Sequence, residues 1–130
     1  ETVVKTTANT VDPTMKSPYA ICFDETCAGW SKSAEANKFF LLQQQNYAND
    51  KLKAQGHLFL NDVYELLGAQ KTKAGQIVGW VYDEKNPIGD NYVDFGIFEL
   101  HDEQKRNFVN GFERSIWLDF NVDGNILDMI

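Results

Sequence analysis

The dominant spacing of apolar residues changes character close to Gly79. That change limits the possible folds more than any other feature. Before it, apolar side chains recur at helical intervals; after it, they recur at every second residue. From Ala34 to Gln55 no glycine or proline interrupts a run rich in Ala, Leu, Gln, Lys and Glu. Ser33 can cap its start and Gly56 can stop it. Ala36, Phe40 and Tyr47 project one way, with Leu41, Ala48 and Leu52 further round, so a wide apolar face is expected. A second helix is expected over Leu58 to Leu67, with Phe59, Val63, Leu66 and Leu67 on one face and Gly68 as its stop. Thr72 to Gly79 reads as one or two further helical turns. A third helix, Glu103 to Asn110, has Asp102 as cap, buries Phe108 and Val109, and ends at Gly111.

The period of two supplies the strands. Tyr19 to Phe23 reads as an edge strand, Trp80 to Tyr82 as a second and Tyr92 to Phe98 as a third, with Val93, Phe95 and Ile97 on one face. From Ser115 to Val122, Ile116, Leu118, Phe120 and Val122 alternate with Trp117, Asp119 and Asn121. Asp123-Gly124 then signals a hairpin, with Asn125 to Ile130 as the returning strand. The expected fold class is α+β: a small, largely antiparallel sheet with three helices packed mainly on one face. Phe59, Val63, Leu66, Val93, Phe95, Ile97, Phe108, Ile116, Leu118 and Phe120 are the expected core. Residues 1–18 read as a polar lead-in and residues 19–130 as a single α+β domain, a size that suits one core.

The net charge of −7 is unevenly placed. Residues 1–80 carry eight acids and eight lysines, whereas residues 81–130 carry eleven acids against Lys85, Lys105, Arg106 and Arg114. Such a surface repels phosphate backbones, so no nucleic-acid partner is expected. Helix, turn and short helix over residues 58–79 would suit a helix-turn-helix. However, the second element holds two glycines and offers phosphates only Lys71 and Lys73.

Chemical motifs are few. Asp119-x-Asn121-x-Asp123-Gly124 opens like a calcium loop, with oxygen ligands at positions 1, 3 and 5 and glycine at 6. Position 12 is Ile130 instead of a bidentate Glu, and a strand precedes the loop instead of a helix. Asp119, Asn121 and Asp123 are therefore a weak calcium candidate, read rather as a strand entering a turn. Cys22 and Cys27 could close a small disulfide loop or remain thiols; zinc would need His57 and His101 brought from far away. Asp83, Glu84, Asp90, Asp94 and Glu99 gather around the expected hairpin, but no spacing selects an acid–base pair. Nucleophile elbows, zinc-protease motifs, phosphate loops and dinucleotide fingerprints are absent, so no enzyme and no cofactor is expected.

The aromatic residues Trp80, Tyr82, Tyr92, Phe98 and Trp117 fall on strand positions away from the expected core face. They form the candidate partner-binding set, on the expectation that an exposed apolar patch marks a protein interface or self-association. The alternative is that residues 1–30 wrap that face.

Several stretches carry a resemblance. They are Gln45-Asn-Tyr-Ala-Asn-Asp-Lys-Leu52, Gly56-His-Leu-Phe-Leu-Asn-Asp-Val-Tyr64, Thr72-Lys-Ala-Gly-Gln-Ile-Val-Gly-Trp-Val-Tyr-Asp83, Gly89-Asp-Asn-Tyr-Val-Asp-Phe-Gly96, Phe108-Val-Asn-Gly111 and Leu118-Asp-Phe-Asn-Val-Asp-Gly-Asn125. Through them the chain resembles a family of uncharacterised proteins encoded by phages and integrative elements of Gram-positive (Firmicutes) bacteria. The resemblance implies a C-terminal part preceded by hydrophobic, membrane-associated segments, which fits a chain that opens at Glu1 as a processed or artificial boundary. It implies a place in the bacterial host cell, at the cytoplasmic membrane or in a phage particle, with membrane contact only through those preceding segments. It brings no activity and no site residues. The expected function is a non-catalytic partner-binding or structural domain. The alternatives are an acidic inhibitor or decoy of a host nucleic-acid enzyme, and a small enzyme using the hairpin carboxylates.

Overall fold

The computed structural model describes residues 18–98 and 102–130. Its elements run β1 (Ile21–Phe23), α1 (Ala34–Gln55), β2 (His57–Phe59), α2 (Leu60–Leu67), a 3-10 turn (Ala74–Gln76), β3 (Val78–Val81), α3 (Glu103–Val109), β4 (Ile116–Leu118) and β5 (Gly124–Asn125). The fold is α+β. Among the described residues the strands form two small antiparallel sheets, not one: β1 with β4, and β2-β3-β5.

Helix α1 starts and stops where its residues dictate. The Ser33 hydroxyl accepts from the Ala36 N–H, and Gly56, at φ 83°, donates its N–H to the Leu52 carbonyl. Its buried stripe is narrower than expected: Asn37, Leu41, Ala48 and Leu52 are buried, while Ala36 and Tyr47 are exposed. Asn37 is a polar member of that stripe because both ends of its amide are hydrogen-bonded. It accepts from the Ser31 N–H (2.9 Å) and donates to the carbonyls of Ser31 (2.9 Å) and Arg114 (3.2 Å).

The second helix begins two residues later than expected. His57 to Phe59 pair with β3, so Phe59 is extended, and the helix opens at Leu60 with the Asp62 carboxylate accepting from the Phe59 N–H. The buried face is consequently Leu60, Val63, Tyr64 and Leu67, and Phe59 and Leu66 are only half-buried. Pairing also overrides the helical reading of residues 72–79. Only Ala74–Gln76 form a turn before β3 begins at Val78, so there is no recognition helix. Gly79 is needed there for space, since a Cβ on it would collide with the carbonyl oxygen of Leu58 on β2.

Two further expectations fail for one reason, that hydrogen-bond partners are not visible in apolar spacing. Residues 92–98 alternate in burial but form no strand. Gly124 and Asn125 pair with Gly79 and Val78 of β3 instead of turning back on β4 as a hairpin. The buried side chains nevertheless form one cluster, which includes Phe23, Leu41, Leu58, Tyr64, Trp80, Phe95, Phe108, Ile116 and Leu118. Within it, Phe120 meets Tyr64 and Phe95 edge-on, with ring centroids 5.8 and 5.5 Å apart.

Candidate functional site

Residues 93–95 are held by helix α1, which supplies hydrogen bonds that a neighbouring strand would otherwise provide. The Asn49 amide pairs with both backbone groups of Val93, accepting from its N–H (2.7 Å) and donating to its carbonyl (3.0 Å). One helical turn earlier, Gln45 accepts from the Phe95 N–H at 2.9 Å. On the other side, the N–H groups of Asp119 and Asn121 reach the carbonyls of Phe95 (3.2 Å) and Asp94 (3.3 Å), so the continuation of β4 runs antiparallel beside this segment. Val93, Phe95 and Ile97 are thereby turned into the core, and Tyr92 and Phe98 are turned out, 48% and 53% exposed. Trp117 lies between buried Ile116 and Leu118 on β4 and is 41% exposed.

The five aromatic candidates therefore divide. Tyr92, Phe98 and Trp117 stand outward on two adjoining runs of chain. Trp80 does not: it is 0% exposed, with its indole N–H donated to Asn121 Oδ1 at 2.9 Å. Every residue of β3 is buried, so alternation along it offers no outward face and Trp80 leaves the candidate surface. Tyr82 is half-buried just beyond the end of β3, where its N–H reaches the Gly56 carbonyl at 2.9 Å.

The carboxylates act chiefly as staples for loops. Asp83 Oδ1 accepts from the N–H groups of Lys85 (3.1 Å) and Asn86 (3.0 Å), and Asp94 Oδ1 accepts from that of Gly96 (2.8 Å). The Asn91 amide closes the same loop by pairing with the backbone of Asp83, at 3.1 and 2.9 Å. Glu84 is exposed, and Glu99 lies outside the described residues.

Two residues of the calcium-like string, Asn121 and Asp123, are engaged within the protein. Asn121 Oδ1 already accepts from Trp80 and from the Asp94 N–H (2.7 Å), while its Nδ2 donates to Asp90 Oδ2 and the Tyr92 carbonyl, both at 2.9 Å. All four positions of the amide are in use, so a cation would have to displace one of these bonds to reach this oxygen. Asp123 Oδ2 accepts from the Val81 N–H at 2.8 Å, and burial, with the charge of Asp90 as a smaller cause, raises its pKa despite that bond. Among the described residues, no group of three or more His, Cys, Asp or Glu could hold a metal ion. His101, invoked for zinc, lies outside them. Cys22 and Cys27 are free thiols; burial, aided by Asp24, pushes Cys22 up to about 11, which disfavours the reactive thiolate.

One concavity has no signature in the sequence. A shallow groove of about 570 Å³ is lined by Phe59, Asn61, Asp62, Lys71, Thr72, Lys73 and Gln76. Asn61 shapes it by pairing with both backbone groups of Thr72, at 2.8 and 2.9 Å, and Lys71 reaches Glu65 at 3.2 Å. The residues that position the aromatic face, Gln45 and Asn49, were also missed. The signal was there: both are polar and lie one turn apart beside the Leu41, Ala48, Leu52 stripe.

No helix among the described residues is long and apolar enough to cross a membrane. No curated protein and no solved structure gives a significant match. A family profile does match residues 1–130, and the chain belongs to that family, described as a family of unknown function (DUF6353).

Proposed function

We propose that this protein is a non-catalytic partner-binding domain of a phage or mobile-element protein, and that Tyr92, Phe98 and Trp117 form its contact surface. The exposure of these three rings on adjoining runs carries the reading, because large aromatics in such a place supply affinity at protein interfaces. The phage or integrative-element origin, the Gram-positive host and an attachment to the membrane through preceding segments rest on the sequence resemblance. The binding reading is favoured over a carboxylate enzyme because Asp83, Asp94 and Asp123 are engaged with backbone N–H groups, which is what loop construction requires.

The test is capture of partners from the host with the full-length protein, comparing wild type with Trp117→Ala and Tyr92→Ala. Both side chains are largely outside the core, so both variants are expected to fold and to lose the same partner. If both retain every partner, the surface has no such role.

A further inference from the structure

The aromatic face lies in the most acidic part of the chain. From residue 83 to residue 94 the chain carries Asp83, Glu84, Asp90 and Asp94 against the single cation Lys85. Asp90 and Asp94 flank Tyr92 on both sides. Their recorded hydrogen bonds come from neutral donors, Asn121 Nδ2 to Asp90 and the Gly96 N–H to Asp94. Such donors favour the anion without cancelling its charge. The Lys105 ammonium is buried beside Gly96, so the excess of negative charge lies at the Tyr92 end of the face, with Glu84 and Asp90.

Exposed rings beside carboxylates attract a cation in two ways, through the charge and through the ring quadrupole. We propose, building on the partner-binding reading above, that the Tyr92–Phe98–Trp117 face docks a Lys/Arg-rich segment of a protein partner. Glu84, Asp90 and Asp94 receive the cationic heads, and the rings cover the aliphatic stems. Charge decides against the other occupants. A nucleic acid brings phosphates to an acidic surface, and a second copy brings the same −7 charge and the same acidic face.

The probe is a synthetic peptide of alternating Arg and Gly, with a Glu–Gly peptide as control. It is titrated against the whole chain and followed by tryptophan fluorescence and amide chemical shifts. The expected result is binding of the Arg peptide alone, weakened about tenfold or more between low and physiological salt. Trp117→Ala and Asp90→Asn should each reduce affinity about tenfold, the second without losing an acceptor for Asn121 Nδ2. Glu35→Gln, at an exposed position in the first turn of α1, removes the same charge and controls for unspecific attraction. Equal weakening by Asp90→Asn and Glu35→Gln, or no binding of the Arg peptide, overturns the inference. The partner-binding reading is judged separately. If Trp117→Ala loses a captured host partner while the Arg peptide does not bind, that reading stands and the basic-partner inference falls.

Discussion

Asn121 joins three parts of the molecule through one amide: the Trp80 indole, the backbone at Tyr92 and Asp94, and the Asp90 carboxylate. Truncation leaves the buried Trp80 N–H without its acceptor, together with the backbone groups of the 92–94 run. Asn121→Ala is therefore expected to cost about 2–4 kcal/mol, measured by urea unfolding; a loss below about 0.5 kcal/mol would show that water replaces the amide. Asp123 makes a prediction of the opposite sign. Its folded pKa is raised by burial and by Asp90, so the folded state holds this proton more tightly than the unfolded one. The resulting penalty is absent at low pH, grows as pH rises through the unfolded value, and is complete above the raised folded one. Asp123→Asn removes the charge yet keeps an acceptor for the Val81 N–H. Its melting temperature should match or exceed wild type at neutral pH, and the difference should shrink as pH falls through the Asp123 titration. At this scale the sequence was partly legible. The Asp-x-Asn-x-Asp-Gly string fixes which oxygens are close in sequence, but not which donors they meet, and here those donors are Trp80, Asp94 and Val81.

At the scale of elements, α1 does two jobs that different parts of its surface announce differently. Leu41, Ala48 and Leu52 of its stripe and both caps were readable, whereas Ala36 and Tyr47 are exposed; helix boundaries depend on local chemistry at Ser33 and Gly56. Its second job, holding residues 93–95, depends on Gln45 and Asn49, whose one signal in sequence is their place beside that stripe. The alternation of Val93, Phe95 and Ile97 was also readable, since it reports which side chains face the core. It says nothing of whether the backbone bonds to a strand or to a helix, and the same blindness converted a β3–β5 pairing into an expected hairpin. If the amide clip holds this run, Asn49→Ala should destabilise by about 1–2 kcal/mol and Gln45→Ala by about 1 kcal/mol. Amide exchange at Val93 and Phe95 should accelerate more than at Leu58 or Trp80. Uniform acceleration across all four positions would mean that the clip has no local role.

Among the described residues, the two sheets share no strand but share their interior. Strand β1 near the start pairs with β4 near the end, Ile21 opposite Leu118 and Phe23 opposite Ile116. Trp30 Nε1 and Asn37 Nδ2 both donate to the carbonyl of Arg114, 84 and 77 residues away. The β2-β3-β5 sheet is tied to that same region by Asn121, which reaches Trp80 from the run that continues β4. Phe120 completes the link by contacting Tyr64 of α2 and Phe95 of the clipped run. Neither sheet can open without exposing side chains that belong to the other's core, and strands of two to four residues have little stability of their own. The expected outcome is one unfolding transition. Helix loss seen by far-ultraviolet dichroism and exposure of buried Trp80 seen by fluorescence should share a midpoint in urea. Residue-resolved hydrogen exchange is the sharper test: Phe23, Leu58, Trp80 and Leu118 should open with similar free energies. Early opening of Phe23 and Leu118 alone would mean that β1 and β4 form a separate unit, and that the bonds through Asn121 and Arg114 do not couple it to the rest.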